Sequence, residues 1–193
     1  MNMVPLLYVG FRLTPFIILC FFVLSSMMSS DIRGIIFLLL ILFNCFITFI
    51  IGNFVYQMGG LTHDIPSDKA PVCNALIVGD GERISPIPLN INIVSFTFAY
   101  LVYLMGKYDR AGSNIPTIIF FGLLLLSMIG WEISNACVSA LQAFVALILG
   151  GSLGVGFAEM VDSKAGQIQY FTFYTNKDVC NRPNEGVFQC TQE

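Results

Sequence analysis

Long uninterrupted apolar blocks are the feature of this sequence that most restricts its fold. Each block is long enough to cross a bilayer, which takes about 20 apolar residues per helix. Hydrophobic residues make up 56% of the chain and charged residues only 11%, whereas a soluble domain carries about 25% charged residues. The pattern therefore predicts an all-α protein, a polytopic transmembrane helical bundle.

We predict five spans, at residues 3–28, 34–56, 87–105, 115–131 and 137–157. The first block could instead be a secretory signal, because its apolar stretch follows Arg12. Its far end lacks the small-residue pattern of a cleavage site, so we expect the span to be retained. Residues 1–161 then form the bundle, and residues 162–193 form a tail outside the membrane.

The orientation of the bundle follows from the Lys and Arg residues beside the spans. One face carries more of them, namely Arg33, Lys107, Arg110 and Lys164, whereas the other has Lys69 and Arg83 in a longer connection. Positively charged residues accumulate on the cytoplasmic side of membrane proteins. We therefore expect the C-terminus in the cytoplasm and the N-terminus on the opposite face.

Two segments are expected outside the membrane. Residues 57–85 contain glycines, prolines and a Gly-Asp-Gly turn, which predicts an irregular polar loop. In the tail, the strand-like QIQYFTFYTN precedes the turn-forming NRPNEG and then VFQC, which predicts a small β-hairpin. Such a hairpin would bring Cys180 and Cys190 together and allow a disulfide, although cysteines on a cytoplasmic face normally stay reduced.

The sequence offers few residues for catalysis. The one histidine, His63, is followed by Asp64 in the polar loop, and Cys73 is the only soft metal ligand nearby. A zinc site needs three or four converging ligands. We therefore predict no catalytic residue, no metal site and no cofactor. The net charge of -3 leaves no basic surface for nucleic acid.

Uncharged polar residues do occur within the apolar blocks. They are Asn44, Thr48 and Gly52 on one face of the second block, Asn90, Asn92, Ser95 and Thr97 in the third, and Gln142 in the fifth. We interpret them as hydrogen-bonding groups between helices, each worth about 0.6 kcal/mol in a membrane protein; the alternative is a substrate pathway. Apart from Arg12, we expect no ionisable residue deep in a span, with Glu132 and Glu159 at wet helix ends, which disfavours proton-coupled transport.

The fifth block ends in the glycine-rich FVALILGGSLGVGF, residues 144–157. A Walker-type phosphate loop needs Lys and then Ser or Thr after its glycines, but Phe and Ala follow Gly156. Small residues instead recur every four positions, at Ala146, Gly150, Gly154 and Ala158. Such a stripe lets two membrane helices approach closely, so we predict a helix-packing face.

Two stretches, ERISPIPLNINIVSFTFAYL and SNACVSALQAFVALILGGSLGVGF, resemble the second and third motifs of the type-2 phosphatidic acid phosphatases. That family is a bundle of about six membrane helices, and the resemblance covers residues 69–157. Gln142 stands near the place of a catalytic histidine, and neither histidine of the family's mechanism is present. The resemblance implies a non-catalytic relative, with a lipid phosphatase-like or lipid-handling protein as the alternative.

The whole chain also resembles small multi-pass proteins of large nucleocytoplasmic DNA viruses, chloroviruses among them. The resemblance lies in VCNALIVGDGERISPIPLNINIVSFTFAYLVYLM, in the Gln-then-glycine fifth block and in the short aromatic tail. It implies a non-enzymatic minor capsid protein in the virion's internal membrane. Its partners would be the bilayer and other capsid or membrane proteins, contacted through loop 57–85 and tail 162–193. A small channel or transporter is a further alternative.

Overall fold

A computed structural model of the chain describes residues 3–28, 33–58, 87–108, 111–165, 179–181 and 189–191. Five α-helices account for most of them: α1 (Met3–Met28), α2 (Arg33–Gln57), α3 (Leu89–Lys107), α4 (Ile115–Ser134) and α5 (Ala140–Ala165). Among the described residues, α2 to α5 are long and apolar enough to cross a membrane, and α1 contains a shorter apolar stretch, Leu13–Leu24. The predicted all-α membrane bundle is confirmed.

The helix ends differ from the predicted ones most in α5. This helix begins three residues later than the predicted fifth span and continues to Ala165, so that residues 162–165, assigned by sequence to the tail, are helical. Nothing in the sequence from Phe157 to Ala165 breaks a helix, and Gly166 follows directly. The apolar block therefore marks only the part of α5 that suits lipid.

The turn between α4 and α5 has defined caps on both sides. The Ala136 amide donates to Ile133 O and the Cys137 amide donates to Glu132 O, with Ala136 at φ 52°, which is a Schellman motif. At the start of α5, the Ser139 amide donates to Gln142 Oε1 and the Gln142 amide donates to Ser139 Oγ. This reciprocal pair is a capping box, so the chain turns sharply without leaving those backbone groups unsatisfied.

Helix α3 is the most buried of the four candidate spans, and it packs against each of the other four helices. Its aromatic side chains form the centre of the core: Phe37 of α2 lies with its ring centroid 5.0 Å from that of Tyr100 and 6.3 Å from that of Phe96. Phe22 of α1 contacts Phe37 edge to face at 4.7 Å. Such tilted and edge-to-face pairs are the favourable aromatic geometries.

Helices α1 and α2 are consecutive and approach closely at Gly34. A Cβ atom on Gly34 would lie 2.6 Å from the Phe22 carbonyl oxygen and 2.5 Å from Ser26 Cβ. Real Cβ atoms do not come this close to backbone atoms, so only glycine fits here. The contact fixes the start of α2 against the end of α1.

Large apolar side chains cover the outside of the bundle. Those more than half exposed include Phe46 and Phe54 on α2, Ile119 and Leu123 on α4, and Phe144 on α5. In water so much exposed apolar surface would be unfavourable, whereas lipid tails solvate it. The exposed faces therefore fit a lipid environment.

Two short strands, β1 (Val179–Asn181) and β2 (Gln189–Thr191), form an antiparallel pair in the tail. In their register Cys180 is opposite Cys190. The stretch 167–176, whose composition predicted a strand, lies outside the described residues. Of the predicted loop 57–85, the described part contains only Gln57, the last residue of α2, and Met58.

Candidate functional site

The small-residue stripe of α5 lies against α3. Ala146 and Ala158 are fully buried, and Gly150 and Gly154 are buried between them. A Cβ atom on Gly150 would come within 2.4 Å of the Asn92 carbonyl oxygen, and one on Gly154 within 2.5 Å of the Phe96 carbonyl oxygen. The two helix backbones are therefore in direct contact, which side chains larger than hydrogen would prevent.

Helices α3 and α5 run parallel. Asn92, early in α3, contacts Ala146 and Gly150 near the start of α5, and Lys107, the last residue of α3, pairs with Asp162 near the end of α5. Positions along the two helices thus advance together. Because α4 lies between them in sequence, it returns the chain across the membrane and leaves α3 and α5 pointing the same way.

Asn92 joins three helices through its side-chain amide. Its Oδ1 accepts hydrogen bonds from Asn44 Nδ2 at 2.6 Å and from Thr48 Oγ1 at 3.2 Å, both on α2. Its Nδ2 donates to the Ala146 carbonyl oxygen of α5 at 3.3 Å. All three polar side chains are fully buried. We call Asn44, Thr48, Asn92 and the Ala146 carbonyl the polar junction.

Other polar residues of the spans take different partners. Ser95 Oγ donates to Leu147 O of α5 at 2.8 Å, so it adds to the contact between α3 and α5. Thr97 instead donates to Ile93 O within its own helix, and Gln142 caps the first turn of α5. Gly52 is buried on α2, one turn beyond Thr48. The hydrogen bonds that α3 makes to α2 and α5 thus centre on Asn92 and Ser95.

Glu132 departs from the expectation that it lies at a wet helix end. It sits in the last turn of α4 with 6% of its surface exposed, and its Oε1 accepts a hydrogen bond from Asn90 Nδ2 at the start of α3. A buried carboxylate in an apolar bundle is costly unless polar groups compensate it. No local sequence signal predicts this burial, because a glutamate at the end of an apolar block suits water and the asparagine that meets it lies on another helix.

Trp131 directly precedes Glu132 in the last turn of α4. Its ring lies 6.1 Å from that of Phe11 on α1, and its indole Nε1 is buried without a hydrogen-bond partner among the described residues. The Trp131 ring is therefore turned toward α1. Glu132 and Trp131 thus connect the end of α4 to α3 and to α1.

At the opposite end, Asp162 of α5 links to the end of α3. Its carboxylate forms an ion pair with Lys107 and accepts a hydrogen bond from Tyr108 Oη at 2.5 Å. The Lys107 ammonium also lies 5.7 Å from the Tyr103 ring centroid, in a cation–π arrangement. Sequence reasoning missed this cluster, because residues more than fifty positions apart meet only when α3 and α5 are parallel.

The cysteines divide into two groups. Cys20 and Cys45 are free thiols in α1 and α2, and Cys137, in the turn between α4 and α5, is disulfide-bonded. The side chains of Cys180 and Cys190 are not among those described, so their disulfide stays a prediction. His63, Asp64 and Cys73 likewise lie outside the described residues. Within the described ranges, no three His, Cys, Asp or Glu side chains converge as a metal site would require.

Comparison with known proteins gives no match to any family model, curated protein or solved structure. The class of protein therefore has to be inferred from the geometry of the chain itself. Four helices suited to a bilayer, lipid-compatible outer faces and a buried polar junction define an integral, multi-pass membrane protein.

Proposed function

We propose that this chain is a non-enzymatic structural protein of a membrane, one that ties a lipid bilayer to a protein shell. The bundle would be the anchor and tail 162–193 the part that contacts the shell, while loop 57–85, on the other face of the membrane, would contact other membrane proteins. The resemblance to small membrane proteins of large DNA viruses makes the shell a viral capsid and the bilayer the virion's internal membrane. In this proposal the tail faces the cytoplasmic side, as the distribution of Lys and Arg indicates.

The main support for the proposal is the hydrogen bonding of Asn92 and Ser95 to the neighbouring helices. The Asn92 amide is engaged on both its oxygen and its nitrogen, by α2 and α5. Ser95 is engaged by α5 as well. Polar groups that line a transport path need free valences for the solute, whereas the Asn92 and Ser95 side chains are occupied by neighbouring helices; Asn44 Oδ1 is the junction oxygen without a hydrogen-bond partner among the described residues. Their arrangement favours a rigid anchor over a channel or transporter.

The close contact at Gly150 and Gly154 supports the same role. Backbone-to-backbone packing along the length of two parallel helices resists bending and separation, as an anchor under load from a shell requires. Helix α4, by contrast, is the least buried of the four candidate spans, and its outer apolar face is available to lipid.

The proposal is tested by cross-linking in assembled particles. A photo-reactive amino acid at Thr191 of the tail should capture a shell protein, identified by mass spectrometry. The matched control is the same probe at Leu123, which is 62% exposed on α4 and should capture lipid only. A tail probe that captures no shell protein, in membranes from which the chain diffuses freely, would contradict the proposal.

Two activity assays address the alternatives. Purified protein should release no phosphate from phosphatidic acid; release that is lost in His63→Ala would establish a lipid phosphatase instead. Liposomes containing the protein should show no ion or solute flux above empty vesicles. Flux that changes in Asn92→Ala would make the polar junction part of a pathway.

A further inference from the structure

The disulfide at Cys137 limits where the partner cysteine can be. Cys137 is 4% exposed in the turn between α4 and α5 and is disulfide-bonded. Cys20 and Cys45 are free thiols. The chain has six cysteines, so the partner within this chain is Cys73, Cys180 or Cys190.

The direction of the helices separates these three candidates. Cys137 precedes α5, and the two tail cysteines follow it. Helix α5 has 26 residues, which corresponds to about 39 Å at the rise of an α-helix and exceeds the hydrocarbon thickness of a bilayer. Cys180 and Cys190 therefore belong to the opposite face of the membrane.

Cys73 belongs to the same face as Cys137. Helix α3 enters the membrane from the connection that contains Cys73, and α4 returns the chain to that face before Cys137. The buried contact between Asn90, in the first turn of α3, and Glu132, in the last turn of α4, shows that these two helix ends meet. The α2–α3 connection and the α4–α5 turn thus share one end of the bundle.

We infer that Cys137 is bonded to Cys73, and that this face of the membrane is the oxidising, non-cytoplasmic one. To form the bond, the two thiols release two protons and pass two electrons to the disulfide of a thiol oxidoreductase in that compartment, which becomes a dithiol. The crosslink ties the α2–α3 connection to the α4–α5 turn. The lower number of Lys and Arg on this face indicates the same orientation independently.

The same orientation determines the redox state of the tail cysteines. If the face of Cys137 is oxidising, Cys180 and Cys190 lie on the reducing side and remain thiols, despite their opposed positions in the strand pair. The chain then contains one disulfide and four thiols. None of this depends on the protein having a shell as its partner.

Thiol counting on the full-length protein, expressed in a membrane with one oxidising face, tests both statements. Cells are quenched with N-ethylmaleimide in denaturant, and the added mass is measured before and after reduction. We expect four labelled thiols before reduction and six after, with a non-reduced peptide that joins Cys137 to Cys73. Labelling of Cys137 before reduction, or its linkage to Cys180 or Cys190, would overturn the pairing; two labelled thiols, with a Cys180–Cys190 peptide, would overturn the orientation.

Variants supply the matched controls. Cys73→Ser should make Cys137 reactive before reduction and leave the total of labelled thiols at five after it. Cys45→Ser, which removes a free thiol in α2, should leave the linked peptide unchanged and give three labelled thiols before reduction. A linked peptide that persists in Cys73→Ser would refute the pairing, and the wild-type result stands even where a variant folds poorly.

Discussion

The backbone of Gly150 lies directly against that of Asn92, so that a Cβ atom on the glycine would come within 2.4 Å of the asparagine carbonyl oxygen. This proximity brings the Asn92 side chain within 3.3 Å of the Ala146 carbonyl oxygen one turn earlier on α5. The small-residue stripe and the polar junction are therefore one structure. Loss of the close approach would also lengthen the hydrogen bond.

Adding one methyl group at Gly150 should destabilise the bundle. In Gly150→Ala the new Cβ meets backbone atoms of α3, which cannot rotate away, so α3 and α5 must separate. Overpacking of this kind costs about 1–3 kcal/mol. The loss should appear as a lower midpoint in thermal or SDS unfolding of the protein in detergent.

Gly156→Ala is the matched control for that change. It lies on the same helix, and among the described residues no atom outside its own stretch of α5 lies within 4 Å of the position that its Cβ would take. Alanine also has a higher helix propensity than glycine, so stability should be unchanged or slightly raised. Equal losses in the two variants would show that α3 and α5 do not pack through Gly150.

Replacing Asn92 by leucine should weaken the three-helix contact. Asn92→Leu removes the hydrogen bonds from Asn44 and Thr48 and the one to Ala146 O. At about 0.6 kcal/mol for each bond, the expected loss is about 2 kcal/mol. Asn53→Leu, at an exposed position on α2, should cost little, and a similar unfolding midpoint for both leucine variants would argue against the junction.

Replacing Ala136 by glycine should stabilise the folded protein. Its φ of 52° places it in the left-handed region, where an L-residue with a Cβ atom pays about 1–2 kcal/mol. Glycine avoids this cost but loses more backbone entropy on folding, so Ala136→Gly should raise the unfolding free energy by up to about 1 kcal/mol. The comparison is Ala111→Gly, at φ -57°, which should be neutral or destabilising.

The Asp162 cluster should respond to salt. Asp162→Asn removes the ion pair with Lys107 and should lower the unfolding midpoint at low ionic strength. The difference should be smaller at high salt, because the Lys107 side chain is exposed and salt screens its charge. Tyr108→Phe removes the hydrogen bond to Asp162 and keeps the Lys107–Asp162 ion pair, so its effect should show little salt dependence. An Asp162→Asn effect that is constant across salt concentrations would assign it to packing.

Apolar block length was enough to locate the helices, because a bilayer requires about 20 apolar residues whatever their order. The four-residue spacing from Ala146 to Ala158 likewise identifies one face of α5. Neither signal names the partner of that face, since a stripe of small residues carries no information about which helix fits it. The partner is α3, which contacts the stripe through backbone atoms of Asn92 and Phe96. Backbone atoms are the same at every position of a chain, so the sequence does not mark this contact.

Burial of Glu132 could not be predicted for a different reason. Its position at the end of an apolar block suits water, and only the folded arrangement of α3 and α4 brings Asn90 over it. The predicted end of the fifth span differs from that of α5 because hydropathy reports where lipid ends, whereas the helix continues to Ala165. Neither the contact of Glu132 with another helix nor the length of α5 beyond its apolar part can be predicted from the local hydropathy.

The parallel arrangement of α3 and α5 has a consequence for how the chain is made. Helix α3 leaves the ribosome before α4 and α5, yet its Asn92 needs the Ala146 carbonyl and its backbone needs the glycines of α5. It is also the least apolar of the four candidate spans. During biogenesis, we therefore expect α3 to stay in contact with the insertion machinery or with α2 until α5 has been synthesised. In a chain truncated before residue 140, α3 should be the helix that inserts into the membrane least stably.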